Sequence, residues 1–214
     1  MPLSSLHAAE NLIERARGLL ELSQNAEVRD AEQEDLRRMA LVMAVAALDT
    51  YMHRLVYRSF KRAELPGALA KLPVRLDQAV SVANRAIEAR REGINNRPGV
   101  QVKNLLQEQL LRKTFQSYED VADGMAMASL DGGWEGVARS FDPSTTRSAI
   151  RQRLGRIVRR RNQIVHEGDL QRRSRPRQPI LNSLSGAEAS DDIEWMEALV
   201  RAIDRFATTV YPTP

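Results

Sequence analysis

Apolar residues in this chain recur at the three- and four-residue spacing of an α-helix in segment after segment. No stretch alternates apolar and polar residues as a half-buried strand would. The chain is therefore expected to be all-α. Residues 6–22 read as a first amphipathic helix, with Leu12, Ile13, Ala16, Leu19 and Leu20 at helical spacing. Residues 32–62 form a second, whose broad apolar stripe suits the centre of a bundle. Further helices are expected at 73–92 and 102–116, with Asn95-Asn96-Arg97-Pro98-Gly99 as a loop. Ser117, with Asp120 three residues on, caps a short helix to Met127. A second short helix at 134–140 follows the turn at Asp131-Gly132-Gly133. A long helix spans 144–167 and stops at Gly168, and a closing helix spans 191–210. Residues 171–188, rich in Arg, Pro and Ser, read as a basic loop. The expectation is a single domain over residues 1–214, a bundle of about five long helices plus short ones.

Composition narrows the chemistry. The chain has no cysteine and three histidines, His7, His53 and His166. Thiol catalysis, disulfides and thiolate metal sites are excluded, and a histidine-rich metal centre is improbable. No metal site and no cofactor are expected. The longest apolar run, Met39 to Leu48, is too short to span a bilayer, so a cytoplasmic protein without a membrane is expected. Eleven arginines crowd residues 147–177 against two acids, Glu167 and Asp169. Such a cluster is either a surface for a polyanion or a solvated face with structural ion pairs. Arginine's planar fork suits phosphate.

The helix at 144–167 carries the one constellation that stands out. On a helical wheel Ile150, Leu154, Ile157, Val158, Ile164 and Val165 share one apolar face, and Arg161 falls within about 20° of its centre. A guanidinium in a core stripe is costly unless paired. Arg161 should therefore meet a buried acid or a cleft that admits an anion. Asn162 and His166 follow within two turns, and being four apart they share one side of the helix. A fixed cation, an amide and an imidazole that titrates near neutrality are what phosphodiester chemistry needs without metal. The opposing reading is a core-facing Arg on an acid and a C-terminal His at the negative helix end.

The stretch Arg159-Arg160-Arg161-Asn162-Gln163-Ile164-Val165-His166-Glu167-Gly168-Asp169 resembles the Arg-x4-His signature of HEPN domains, with Asn following the Arg. Residues 46–56, Ala-Ala-Leu-Asp-Thr-Tyr-Met-His-Arg-Leu-Val, resemble the second-helix segment of the RiboL-PSP-HEPN subgroup. So do Thr114-Phe115-Gln116-Ser117 and Trp134-Glu135-Gly136-Val137-Ala138 in their places. The resemblance implies a HEPN-type helical bundle and, in many members, metal-independent endoribonuclease activity in a toxin–antitoxin or phage-defence setting. It implies a homodimer with a composite active site, RNA as substrate and an antitoxin or regulatory partner. Carried over, Arg161 would hold the scissile phosphate, Asn162 would orient it and His166 would be the general acid or base. Members silenced by nucleotidylation carry a Tyr where this chain has Gly168, so that regulation is not expected here.

Other residues are weaker candidates. Asp49 could pair with Arg161, and His53 could approach the same cleft. Arg159, Arg160, Arg172 and Arg173 are candidate RNA contacts. Tyr51 and Tyr118 are core residues or base-stacking rings, and Trp134 and Trp195 read as core anchors. Two other functions stay open: a catalytically silent HEPN module binding RNA, a nucleotide or a protein partner, and a helical DNA-binding regulator, for which no helix-turn-helix pair is evident.

Overall fold

The computed structural model describes residues 4–60, 65–93, 98–142, 144–171 and 180–211. Among them the structure is helical, with nine helices: α1 (Ser5–Leu22), α2 (Asp30–Ser59), α3 (Gly67–Ala70), α4 (Leu76–Arg91), α5 (Pro98–Leu110), α6 (Tyr118–Met127), α7 (Gly133–Phe141), α8 (Arg147–Glu167) and α9 (Gly186–Val210). The only strand-like feature described is one antiparallel bridge, Leu170 to Leu181.

Helix α2 organises the bundle. Ala40, Leu41, Ala44, Val45, Ala47, Leu48, Tyr51, Met52, Leu55 and Val56 are all buried, which covers more of the helix circumference than one stripe. By length and composition α2 could also cross a membrane, with mean hydropathy 1.3 over an 18-residue window. Here α1, α6, α8 and α9 pack around it instead. Each fully buried Leu, Ile or Met contributes roughly 1.5–3 kcal/mol, so this helix is a large share of the core. The phenol of Tyr51 is buried too and donates to Asp204 Oδ1 at 3.0 Å. Burial, aided by the Asp204 charge, pushes its pKa far up. Tyr51 is thus a core residue and presents no ring to a base.

Local signals explain where the elements start and stop. Ser117 caps α6 by accepting from the Asp120 N–H at 3.0 Å, as its spacing indicated. Gly168, in the left-handed region at φ 61°, ends α8. Three boundaries differ from the sequence reading by four residues or more. Pro98, expected in a loop, opens α5, where its fixed φ suits a first helical turn. Helix α5 ends at Leu110 rather than near 116, because Phe115 and Gln116 bond to Asp49 on α2. Helix α9 begins at Gly186, not 191. A capping box does this: Ser185 accepts from the Glu188 N–H, and Glu188 accepts in return from the Ser185 N–H.

Trp134 is an anchor, buried, with its indole N–H donating to Tyr118 O at 3.0 Å and its ring stacked on Tyr118 at 4.4 Å. Trp195 is half-buried beside Phe141, their ring centres 5.9 Å apart.

Two glycines test the packing. A β-carbon on Gly136 would run into the Phe206 ring, while one on Gly18 would meet nothing within 4 Å. Gly136→Ala should therefore cost about 1–3 kcal/mol. Gly18→Ala, in mid-helix, should be stabilising by up to about 1 kcal/mol. Urea unfolding of the two variants measures both, and equal effects would contradict this packing.

Candidate functional site

Helix α8 begins at Thr146, whose hydroxyl accepts from the Ala149 N–H at 3.2 Å. Its apolar face is Ile150, Leu154, Ile157 and Val158, all buried. Further along, Ile164 is only partly buried against the core. Val165, expected on the same face, is 46% exposed. The last two turns of α8 thus run past the edge of the core, and Arg161 sits at that edge, half-buried.

The arginines of α8 divide sharply. Arg147 pairs with Glu135, Arg151 with Glu119, and Arg153 with Asp191. Arg156 forms a two-point bond to Asp192, a carboxylate 3% exposed on its side chain. These hydrogen bonds, against the opposing effect of burial, hold the Arg156 pKa above its ordinary value. Arg160 donates to Asp169 Oδ2 and to the carbonyls of Asn182 and Ser183, each at 3.0 Å. Five of the seven arginines in α8 are thus spent on acids. Arg159 and Arg161 have no acidic partner among the described residues.

Arg161 was expected to meet either a buried acid or an anion-admitting cleft, and among the described residues it meets no acid. Its Nη1 donates to Asn162 Oδ1 at 2.9 Å, and its Nε is buried with no bond. The Nε atoms of Arg37 and Arg153 are likewise unbonded. Their outer nitrogens, however, reach a carbonyl and an amide oxygen, or a carboxylate and a carbonyl. A charged group resting only on one neutral amide oxygen retains donors for an anion. His166 and Asn162 are exposed. The ring of His166 bonds to none of the described residues. On an ideal helix it lies about 140° around the axis and roughly 7.5 Å along it from Arg161.

The supporting residues are corrected in part. Asp49 does not serve Arg161. Its Oδ1 accepts from the Phe115 N–H at 2.5 Å and lies 3.7 Å from His53 Nε2, and its Oδ2 takes Gln116 at 3.5 Å. The His53 ring packs edge-on against Phe115 at 4.9 Å. Asp49 and His53 therefore join α2 to the 115–116 segment. Arg160, a candidate RNA contact, is held in the ion cluster described above. Arg159 is exposed. Arg172 and Arg173 lie outside the described residues. Asp169, Arg38 and Asn182 were not singled out from the sequence, although they bracket the motif; an Asp following a helix-stopping Gly was the one available signal. Among the described residues, no three His, Asp or Glu side chains converge to hold a metal.

An all-helical bundle bearing Arg-x4-His near the end of a packed helix defines the HEPN class. A family model, RiboL-PSP-HEPN, matches residues 10–209, and the chain belongs to that family. No curated protein and no solved structure matches it. HEPN domains are nuclease and RNA-binding modules in general, with silent members among them.

Asp49→Ala should cost about 1–3 kcal/mol, because it leaves the Phe115 N–H without its acceptor. Thermal unfolding measures this. An unchanged midpoint would show that the 115–116 segment is held by other contacts.

Proposed function

We propose that the chain is a metal-independent endoribonuclease acting as a homodimer. One observation carries this reading: Arg161 is half-buried at the core edge with no acid among the described residues, on the same helix end as an exposed His166. Arg161 and Asn162 would hold the scissile phosphate. A His166 imidazole would take the proton of the ribose 2′-hydroxyl. The freed oxygen attacks the adjacent phosphorus, the bond to the 5′-oxygen breaks, and a second imidazole returns a proton to that oxygen. The products are a 2′,3′-cyclic phosphate and a 5′-hydroxyl. The nucleophile belongs to the substrate, which restricts it to RNA.

One copy supplies only one His166, set well around the helix from Arg161. Two copies related by a two-fold axis near the ends of α8 would surround a phosphate from both sides. The exposed apolar side chains at that end, Val165, Leu170, Ile180 and Leu181, support such pairing. A toxin–antitoxin or phage-defence setting, with an antitoxin or regulatory partner, is the setting proposed. A silent module that binds RNA, a nucleotide or a protein is the second reading. It is favoured by the ion pairing of most α8 arginines, which leaves fewer free guanidiniums on that helix for RNA.

Purified protein incubated with bulk RNA in EDTA decides between them. Wild type should cleave, and His166→Ala and Arg161→Ala should not. Arg161→Lys should also fail, because a point charge cannot replace a bidentate fork; losing one such donor costs roughly 10²–10³ in rate. DNA and RNA methylated at the scissile 2′-oxygen should resist. Products with 5′-phosphates, or RNA binding without cleavage, would overturn the ribonuclease reading. Light scattering should give a dimer at micromolar concentration. Expression should slow growth, with His166→Ala relieving it.

A further inference from the structure

The ring of His166 bonds to none of the described residues, so its position is that of the last turn of α8. Helix ends are among the first parts of a fold to open. Here the chain leaves the helix through two left-handed residues in succession, Gly168 at φ 61° and Asp169 at φ 58°. Asp169 is 1% exposed. Its N–H donates back to Gln163 O at 2.9 Å, and its carbonyl accepts from both the N–H and the side-chain amide of Asn182, at 2.9 and 3.0 Å.

The Asp169 carboxylate lies between two guanidiniums. Arg38 Nε on α2 donates to Oδ2 at 2.7 Å and Arg160 Nη2 donates to the same oxygen at 3.0 Å, while Asn182 Nδ2 reaches Oδ1 at 3.3 Å. Burial works against the charge of Arg38, but its bonds to Asp169 and Glu34 outweigh that and keep its pKa raised. Both guanidiniums also donate to Asn182 O at 3.0 Å. The placement in sequence is what matters. Arg160 immediately precedes Arg161, and Asp169 follows His166 by three residues. The Arg160–Asp169 bond therefore closes over the whole motif, and Arg38 ties that closure to the central helix.

We propose that Asp169 is a positioning residue for the cleavage site: through Arg160 and Arg38 it fixes the turn carrying His166 relative to Arg161. This rests on the ribonuclease reading. Without the buried charge, the last turn of α8 opens more often and His166 leaves its place; misplacement by about 1 Å can cost roughly 10²-fold in rate.

The test compares wild type with Asp169→Asn, since asparagine tolerates the left-handed conformation. The expected result is a folded protein whose amides at 163–169 exchange at least tenfold faster, while those of α1 and α9 are unchanged. Its kcat for RNA cleavage, per folded molecule, should fall roughly 10- to 100-fold, with KM within twofold and the pH profile unchanged in shape. A purely structural role would lower the melting point but leave kcat of the folded fraction intact. If Asp169→Asn does not fold, Arg38→Met keeps the Arg160–Asp169 pair, removes the bonds from α2 to Asp169 and Asn182, and should shift both readouts in the same direction. A folded variant with wild-type kcat, or unchanged exchange at 163–169, overturns the proposal. A wild type that cleaves no RNA defeats the ribonuclease reading and the catalytic role with it, while the exchange data still decide whether Asp169 holds the turn.

Discussion

Helix α2 is apolar over too much of its circumference to lie at a surface, and the rest of the bundle follows from covering it. Ten of the seventeen residues at 40–56 are buried and the other seven are half-buried. A helix of that kind must be wrapped, and α1, α6, α8 and α9 do so. Because α8 is one of the wrapping helices, its inner face must be apolar. Its polar residues are forced to the flanks, the outside, or the end that overruns the core. Arg161 and His166 occupy that end. The site is thus where the covering helix runs out of core to cover.

Wrapping α2 with so arginine-rich a helix creates an electrostatic problem, which two buried carboxylates solve. Asp192, from α9, takes Arg156 and approaches Arg153 at 3.9 Å. Asp169, just beyond α8, takes Arg160 and Arg38. Removing one partner of a buried pair costs about 3–5 kcal/mol, because it strands the other charge. Asp169 is therefore what allows Arg38 to be buried, whereas Arg156, its side chain 53% exposed, keeps water as well as Asp192. The exposed pairs, such as Arg147 with Glu135, contribute about 1 kcal/mol or less. Arg159 and Arg161 have no acid among the described residues, and of the two only Arg161 is half-buried. A dense run of positive charge looks uniform in sequence, but its members do unlike jobs, and only their partners tell them apart.

What could be read from the sequence follows from the range of the interactions involved. The period of α8, the Ser117 cap of α6 and the Gly168 stop are local, and the chain spells them out within a few residues. The start of α9 is local too: Ser185 and Glu188 are a capping pair, but they stand at the end of a segment whose Arg, Pro and Ser content reads as a loop. The exposure of Val165 could not be read, because the wheel gives direction and not where the core ends. The true partners of Asp49 could not be read either. Phe115 is 66 residues away, and any of 28 arginines competed for the carboxylate on paper. The same holds for Asp169 and Arg38, separated by 131 residues.

The backbone at 168–169 links these threads. A left-handed residue is easy for Gly and tolerable for Asp or Asn, but costly for most side chains. Gly168 therefore does more than end a helix. With φ at 61° it turns the chain sharply enough for the next residue to point its carboxylate back beneath α8, toward Arg160. A Tyr at 168 would have to adopt the same conformation, at a cost of roughly 1–2 kcal/mol, or release the turn and carry Asp169 away from its two guanidiniums. In this chain the position that could have offered a modifiable hydroxyl beside the motif is committed to geometry instead. The buried ion cluster depends on that one backbone turn.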